Sequence, residues 1–187
     1  MIKLSKAAAG CLLALTALLN SQNADAQRIA VKTNTLDWIA LSPNLGLEAR
    51  LSRRLSFQLA VAGNPFNISV ADTNWKNYRI EPELRYWFNR PMARHFLALS
   101  ATAAGFHLRH ADRHLQGDAV GAGISYGYAL VLGDHWNMEA EVGVGLAHFS
   151  AYDYYGDNGR HELASKNFKK FMPVPIRLGL SFSYIFK

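Results

Sequence analysis

Cysteine is almost missing from this chain of 187 residues: Cys11 is the only one. It lies inside the apolar stretch 7–19. Ala9-Gly10-Cys11 bears a faint likeness to a lipoprotein cleavage site, but the apolar run continues through Leu12-Leu13-Ala14-Leu15. A lipoprotein site would end its run, so that reading is rejected. Downstream of Cys11 there is no thiol, which excludes a disulfide framework and thiolate metal sites. No long apolar run follows Leu19 either, which excludes a transmembrane helix of about 20 apolar residues. Helical periodicity is scarce, and no period of roughly 20–50 residues marks a solenoid. No glycine-rich phosphate loop follows a strand-to-helix junction.

What the chain does have begins with a processing signal. Lys3 and Lys6 precede the apolar stretch, which only Gly10 and Thr16 interrupt, and Ala24-Asp25-Ala26 supplies a small-x-small cleavage pattern. A stretch of about 13 apolar residues is too short to span a bilayer. Residues 1–26 are expected to be a cleaved signal peptide, leaving Gln27 to Lys187 as one domain. The formal charge is +6, and losing Lys3, Lys6 and Asp25 leaves +5. An exported basic chain is expected to meet anionic lipid or lipopolysaccharide, with no nucleic acid among its partners.

Alternation with period two recurs along the remainder. Val174, Ile176, Leu178, Leu180, Phe182, Tyr184 and Phe186 share one face of a last strand, against Pro175, Arg177, Gly179, Ser181 and Ser183. Ile185 is the exception. Trp136, Met138, Ala140, Val142, Val144 and Leu146 alternate with Asn137, Glu139, Glu141, Gly143 and Gly145. Similar patterns cover 120–132, 79–88, 44–51 and 56–62, and blurred ones cover 31–39 and 96–106. Eight strands result. Residues 52–54, 89–94 and 133–135 read as tight turns, and 65–77, 109–117 and 151–173 as long polar loops, with a short first connection near 41–43. Tight turns at one end and long loops at the other, with an even strand number, describe an outer-membrane barrel.

The expected fold is therefore an all-β, eight-stranded antiparallel up-and-down transmembrane barrel in the outer membrane of a Gram-negative bacterium. The reverse facing, a lipocalin-like soluble barrel, would put Glu81, Glu83 and Arg85 outside. In lipid, one Arg or Lys at mid-membrane costs about 2–4 kcal/mol. The interior then receives Glu48, Arg50, Arg79, Glu81, Glu83, Arg85, Glu139, Glu141 and Arg177, which can pair. An interior this narrow is filled by side chains, so a plugged barrel is preferred to a narrow pore. Trp136, Phe57, Phe88, Tyr184 and Phe186 are expected in one boundary girdle, with Trp87 pointing inward. Tyr152, Tyr154 and Tyr155 belong to the other boundary.

Several pieces also carry a resemblance. They are Lys32-Thr33-Asn34 with Leu36; Pro43-Asn44-Leu45-Gly46-Leu47-Glu48; Asn64-Pro65-Phe66; and Pro82-Glu83-Leu84-Arg85-Tyr86-Trp87. Gly123-Ile124-Ser125-Tyr126-Gly127-Tyr128, Trp136 with Glu139, and Gly179-Leu180-Ser181 with Tyr184 complete the set. Together the chain resembles a domain-of-unknown-function family of small outer-membrane barrels common in Bacteroidota. Phe66 stands where that pattern has Trp, and Lys187 follows the usual terminal aromatic, Phe186. The resemblance implies no activity. It implies a structural, adhesion or assembly role at the cell surface, with surface-fimbria components as partners.

The chemical groups give one alternative. His148-Phe149-Ser150 with Glu162 has the spacing of outer-membrane lipid A deacylases. In such an enzyme His148 would take the Ser150 proton, and Glu162 would orient the imidazole. Glu162 falls in a glycine-containing loop and no oxyanion donor can be named, so a non-enzymatic protein is the preferred reading. His107, His110 and His114 have metal-ligand spacing, but Arg109 and Arg113 among them repel a cation. No metal or cofactor is expected. Arg160, His161, Lys166, Lys169 and Lys170 make the last loop basic, suited to lipopolysaccharide phosphates or simply to solvation.

Overall fold

A computed structural model describes residues 28–64, 66, 69–70, 73–156 and 165–186. The expected signal peptide lies outside these residues. The elements run β1 (Ile29–Asn34), α1 (Thr35–Ile39), β2 (Asn44–Arg50), β3 (Leu55–Asn64), the two-residue β4 (Ser69–Val70), β5 (Thr73–Trp87), β6 (Arg94–His110), β7 (Arg113–Val131), β8 (Trp136–Tyr155) and β9 (Phe168–Phe186). β4 only folds back onto the start of β5. Each of the other eight strands pairs antiparallel with two neighbours, and the β3–β5 and β1–β9 ladders join the ends of the sheet into a ring. The eight-stranded antiparallel architecture is the one read from alternation.

The facing is inside out relative to a soluble barrel. Leu178 is 63% exposed and Val144 65%, whereas Glu83 and Arg85 are each 1% exposed. Leu45, Leu47, Val61, Leu97, Leu99, Ile124 and Val142 join the outer wall. Ser100, Ser125, Glu139, Glu141 and Ser183 are enclosed. Small inward residues let strands and side chains approach closely. A Cβ on Gly123 would lie 2.3 Å from the Val144 carbonyl oxygen and 2.5 Å from Gly145 Cα.

At the turn end, His95, Tyr126, Tyr128, Trp136, Tyr184 and Phe186 form ring contacts around the wall. The 88–93 connection folds into the barrel mouth there. Met92 packs with Ala30 and Ile185, and Asn137 Nδ2 donates to its carbonyl at 2.5 Å. That contact explains why Ile185 breaks the alternation: it covers an inward plug residue rather than lipid-type surface.

Four details depart from the sequence reading. First, the strand expected over 31–39 ends at Asn34, and a helix follows. The Asn34 side chain accepts from Leu36 N–H at 3.2 Å, an N-cap contact. The first connection is therefore nine residues long rather than short. Second, 109–117 is not a loop: β6 and β7 continue to a two-residue turn at Ala111 and Asp112, where Ala111 takes φ 49°. Likewise β5 begins within the expected loop 65–77, and β8 and β9 extend into 151–173. Third, the β8–β9 register shifts between Gly143 and Val144. This bulge reverses the facing of upper β9, so Val174 and buried Ile176 point inward and Pro175 outward. Fourth, Arg50 binds the Ser52 carbonyl at the turn end and stays out of the interior network.

The wall is uneven in height. β1 and β2 have 6 and 7 residues, whereas β6 to β9 have 17 to 20. β1 meets β9 only between Ser181 and Phe186.

Candidate functional site

The lower interior is a continuous ionic network to which every strand of the ring contributes. Arg85 on β5 is its hub. The guanidinium donates to Glu48 on β2 at 3.1 Å, and to Glu139 and Glu141 on β8 at 2.8 and 2.9 Å. It also donates to Glu83 on its own strand. Lys32 on β1 bridges Glu48 and Glu139. Ser56 on β3 donates to Glu48. Ser100 on β6 donates to Glu83 at 3.0 Å, and Ser125 on β7 to Glu141 at 2.6 Å. Arg177 on β9 reaches Glu81 at 2.6 Å and Glu83 at 3.3 Å. Arg79 connects Glu81 at 3.0 Å to Asp37 of α1 at 2.5 Å, so the helix is anchored to the network from above.

Aromatic rings fill what the ions leave. Trp87 is fully enclosed, stacks near Phe96 at 4.7 Å between centroids, and donates from Nε1 to Ser56 Oγ at 2.7 Å. The Arg85 guanidinium lies 4.4 Å above the Phe96 ring. Lys32, Arg79, Arg85 and Arg177 oppose Asp37, Glu48, Glu81, Glu83, Glu139 and Glu141. Four cations thus face six carboxylates. The nearest-neighbour alternation of signs offsets the desolvation that isolated charges would suffer.

The sequence reading missed Lys32 and the serines. Lys32 lies on a six-residue strand too short to display a period, and serines among small residues look like mere space-fillers.

The hydrolase candidates are arranged differently. His148 and Ser150 share the outward face of β8, opposite Val120 and Asp118 of β7. Among the described residues no hydrogen bond joins them. Glu162, Arg160 and His161 lie outside those residues. Lys169 is beside Ser150 across the β8–β9 ladder, and Lys166 pairs with Asp118. Asp118 and Lys166, but neither His148 nor Ser150, line an outer-wall groove of about 670 Å³ together with Lys76, Tyr78, His107, Gln116 and Tyr152.

Two of the three clustered histidines meet at the loop end. His107 Nε2 lies 3.1 Å from His114 Nδ1, and His114 stacks on Tyr154 at 5.0 Å. Tyr154 is therefore buried by the hairpin rather than exposed at a boundary, whereas Tyr155 is open. His110 sits across β6 from that pair. No group of three or more His, Cys, Asp or Glu side chains suited to a metal occurs among the described residues. Burial, then the charges of His114, Lys76 and Arg109, hold the His107 imidazole below its ordinary value.

A closed antiparallel barrel with an apolar outer wall and an ion-paired, side-chain-filled interior is the class that these observations define. The chain belongs to the DUF3575 family, described as a protein of unknown function, with residues 11–186 matched. The resemblance to a domain-of-unknown-function family is thereby borne out. No curated protein and no solved structure matches it.

Proposed function

We propose that this protein is an integral barrel of the Gram-negative outer membrane, exported through a cleaved signal peptide over 1–26. Its role is structural, adhesive or assembly-related, exerted through the external loops without enzymatic chemistry. The observation that carries this reading is the apolar band around an ionic interior. On β8, Trp136 and His148 bound the outward aliphatic run Met138, Ala140, Val142, Val144 and Leu146. At ~3.3 Å per residue the interval is ~40 Å along the strand, and a tilt of ~45° makes it ~28 Å high. Outer-membrane barrels carry an apolar band of about 25 Å flanked by aromatic girdles.

The tall β6–β9 wall then rises beyond the membrane. Lys166, Lys169 and Lys170 at that level suit lipopolysaccharide phosphates, and the outer ends of β5 to β8, which reach the same height, suit a protein partner such as a surface-fimbria component of a Bacteroidota cell. The enclosed Arg85 network and Trp87 favour a plugged barrel over a pore. His148 and Ser150 share the outward face of β8 with no hydrogen bond between them among the described residues, which favours a non-enzyme. Cell fractionation with a heat-modifiability gel tests the proposal. The expected result is an outer-membrane location and a mobility that changes on boiling. A soluble periplasmic protein with unchanged mobility would overturn it.

A further inference from the structure

Above the ionic network the lumen changes character. Ala119, Ala147, Phe149, Val174 and Ile176 line a cavity of about 340 Å³, a volume within the range of small-molecule pockets, ~300–1,000 Å³. Phe106 packs edge-on against Phe149 nearby. Arg79, Glu81, Arg177 and Asp37 border the same cavity, and their charges are already paired with one another. The site therefore offers apolar walls and polar neighbours whose charges are already neutralised.

The cavity also reaches the outside of the wall. Pro175 and Leu178, both outward on β9, line it together with the inward residues. β1 reaches only Ser181 on this side of β9. Above it, the start of α1 holds the edge through Asn34 Nδ2 to the Leu178 carbonyl at 3.2 Å and Thr35 Oγ1 to the Leu180 carbonyl at 2.7 Å. Among the described residues, no strand pairs with the second edge of β9 from Phe168 to Leu180. Pro173 and Pro175 lie on that edge and have no N–H, which disfavours addition of a foreign strand.

The height of this opening decides what meets it. Pro173 and Pro175 pair with Leu146 and Val144, which belong to the apolar band below His148. At that level the surroundings, given the outer-membrane placement proposed above, are hydrocarbon rather than water. We propose that the upper lumen is a lateral binding site for the acyl chain of a membrane lipid. The chain enters tail first between β9 and α1, while the headgroup stays outside. The bulge at Gly143 and Val144 builds the site, because it turns Val174 and Ile176 inward where unbroken alternation would place Pro175. The inference rests on the membrane reading.

The test is photolabelling of the full chain, refolded into phosphatidylcholine vesicles. These contain a phospholipid with a diazirine near the end of one acyl chain. Labelled positions are mapped by peptide mass spectrometry. The site predicts adducts on inward Phe149, Val174 and Ile176 in addition to outward Val144, Leu146 and Leu178. Val174→Trp, which fills the cavity, should lower the inward labelling about tenfold and leave the outward labelling unchanged. Labelling confined to outward residues in a vesicle-inserted, heat-modifiable protein would overturn the site alone. Failure to float with vesicles would overturn the membrane placement and the site with it. The labelling pattern of the unsubstituted chain decides the matter even if the tryptophan variant does not fold.

Discussion

Arg85→Met should be among the most damaging single substitutions in the barrel. Arg85 is 1% exposed and contacts Glu48, Glu83, Glu139 and Glu141. Its removal leaves Lys32, Arg79 and Arg177 against six carboxylates, with Glu83 and Glu141 depending on Arg177 alone among cations. Breaking a buried ion pair from one side costs about 3–5 kcal/mol, because the partner stays enclosed and uncompensated. The lost guanidinium contact with Phe96 adds about 0.5–1 kcal/mol. A total of about 4 kcal/mol lowers the folded-to-unfolded ratio roughly a thousandfold, against an ordinary domain stability of about 5–15 kcal/mol. Urea unfolding in detergent or vesicles measures this, and Trp87 provides the signal because its ring is enclosed beside the hub. The double variant Arg85→Met with Glu83→Gln should be more stable than Arg85→Met alone, although Glu83→Gln is destabilising in the unsubstituted chain. A loss under about 1 kcal/mol for Arg85→Met, or additive effects in the double variant, would refute a dry, coupled interior.

Outward charge should be costly only within the apolar band. Val142→Arg should cost about 2–4 kcal/mol in vesicles, and Gln116→Arg, beyond the band, about 0–1 kcal/mol by the same unfolding assay. The β6–β7 hairpin should loosen in acid. His107 is held below its unfolded value of about 6.5, so its folded form favours the neutral ring. Its stabilising contribution is complete above pH 6.5 and is lost as pH falls through that value toward the lower folded one. Amide exchange of the hairpin at pH 7.5 and 5.5, corrected for intrinsic rates, should show lost protection in acid, and His107→Gln should remove that dependence. Ser150→Ala should leave unfolding midpoint and heat modifiability unchanged, and neither form should release fatty acid from lipid A. Deacylation abolished by the substitution would restore the hydrolase reading.

Alternation made the barrel legible because a wall between two unlike media imposes period two. It became unreadable wherever that contrast ends. In 109–117 the strands rise past the apolar band, so polar residues such as Arg109, His114 and Gln116 suit both faces, and the hairpin resembles a loop. At the start of β9, Pro173-Val174-Pro175-Ile176 keeps a perfect apparent pattern, but the register shift displaces it by one residue. In α1, Leu36 and Trp38 alternate with Asp37 as they would in a strand, and a helix of five residues is too short to reveal its own period. Except for Lys32 and Asp37, the interior charges were visible as a group. Their partnership was not, because Lys32 and Glu139 are separated by 107 positions and meet only through closure.

That separation also sets when the centre can exist. Lys32 enters with the first strand, whereas Glu139, Glu141 and Arg177 arrive with the last two. Until the opening ladder meets the closing one, pairs between neighbouring strands, such as Lys32 with Glu48, can form, but Lys32 and Glu139 stand at opposite ends of an open sheet. Zipping the seam between β1 and β9 brings those two together and completes the network. For a barrel placed in the membrane as proposed above, closing and drying the centre are one event, and a chain lacking its first strand would leave Glu48 and Glu139 without their lysine.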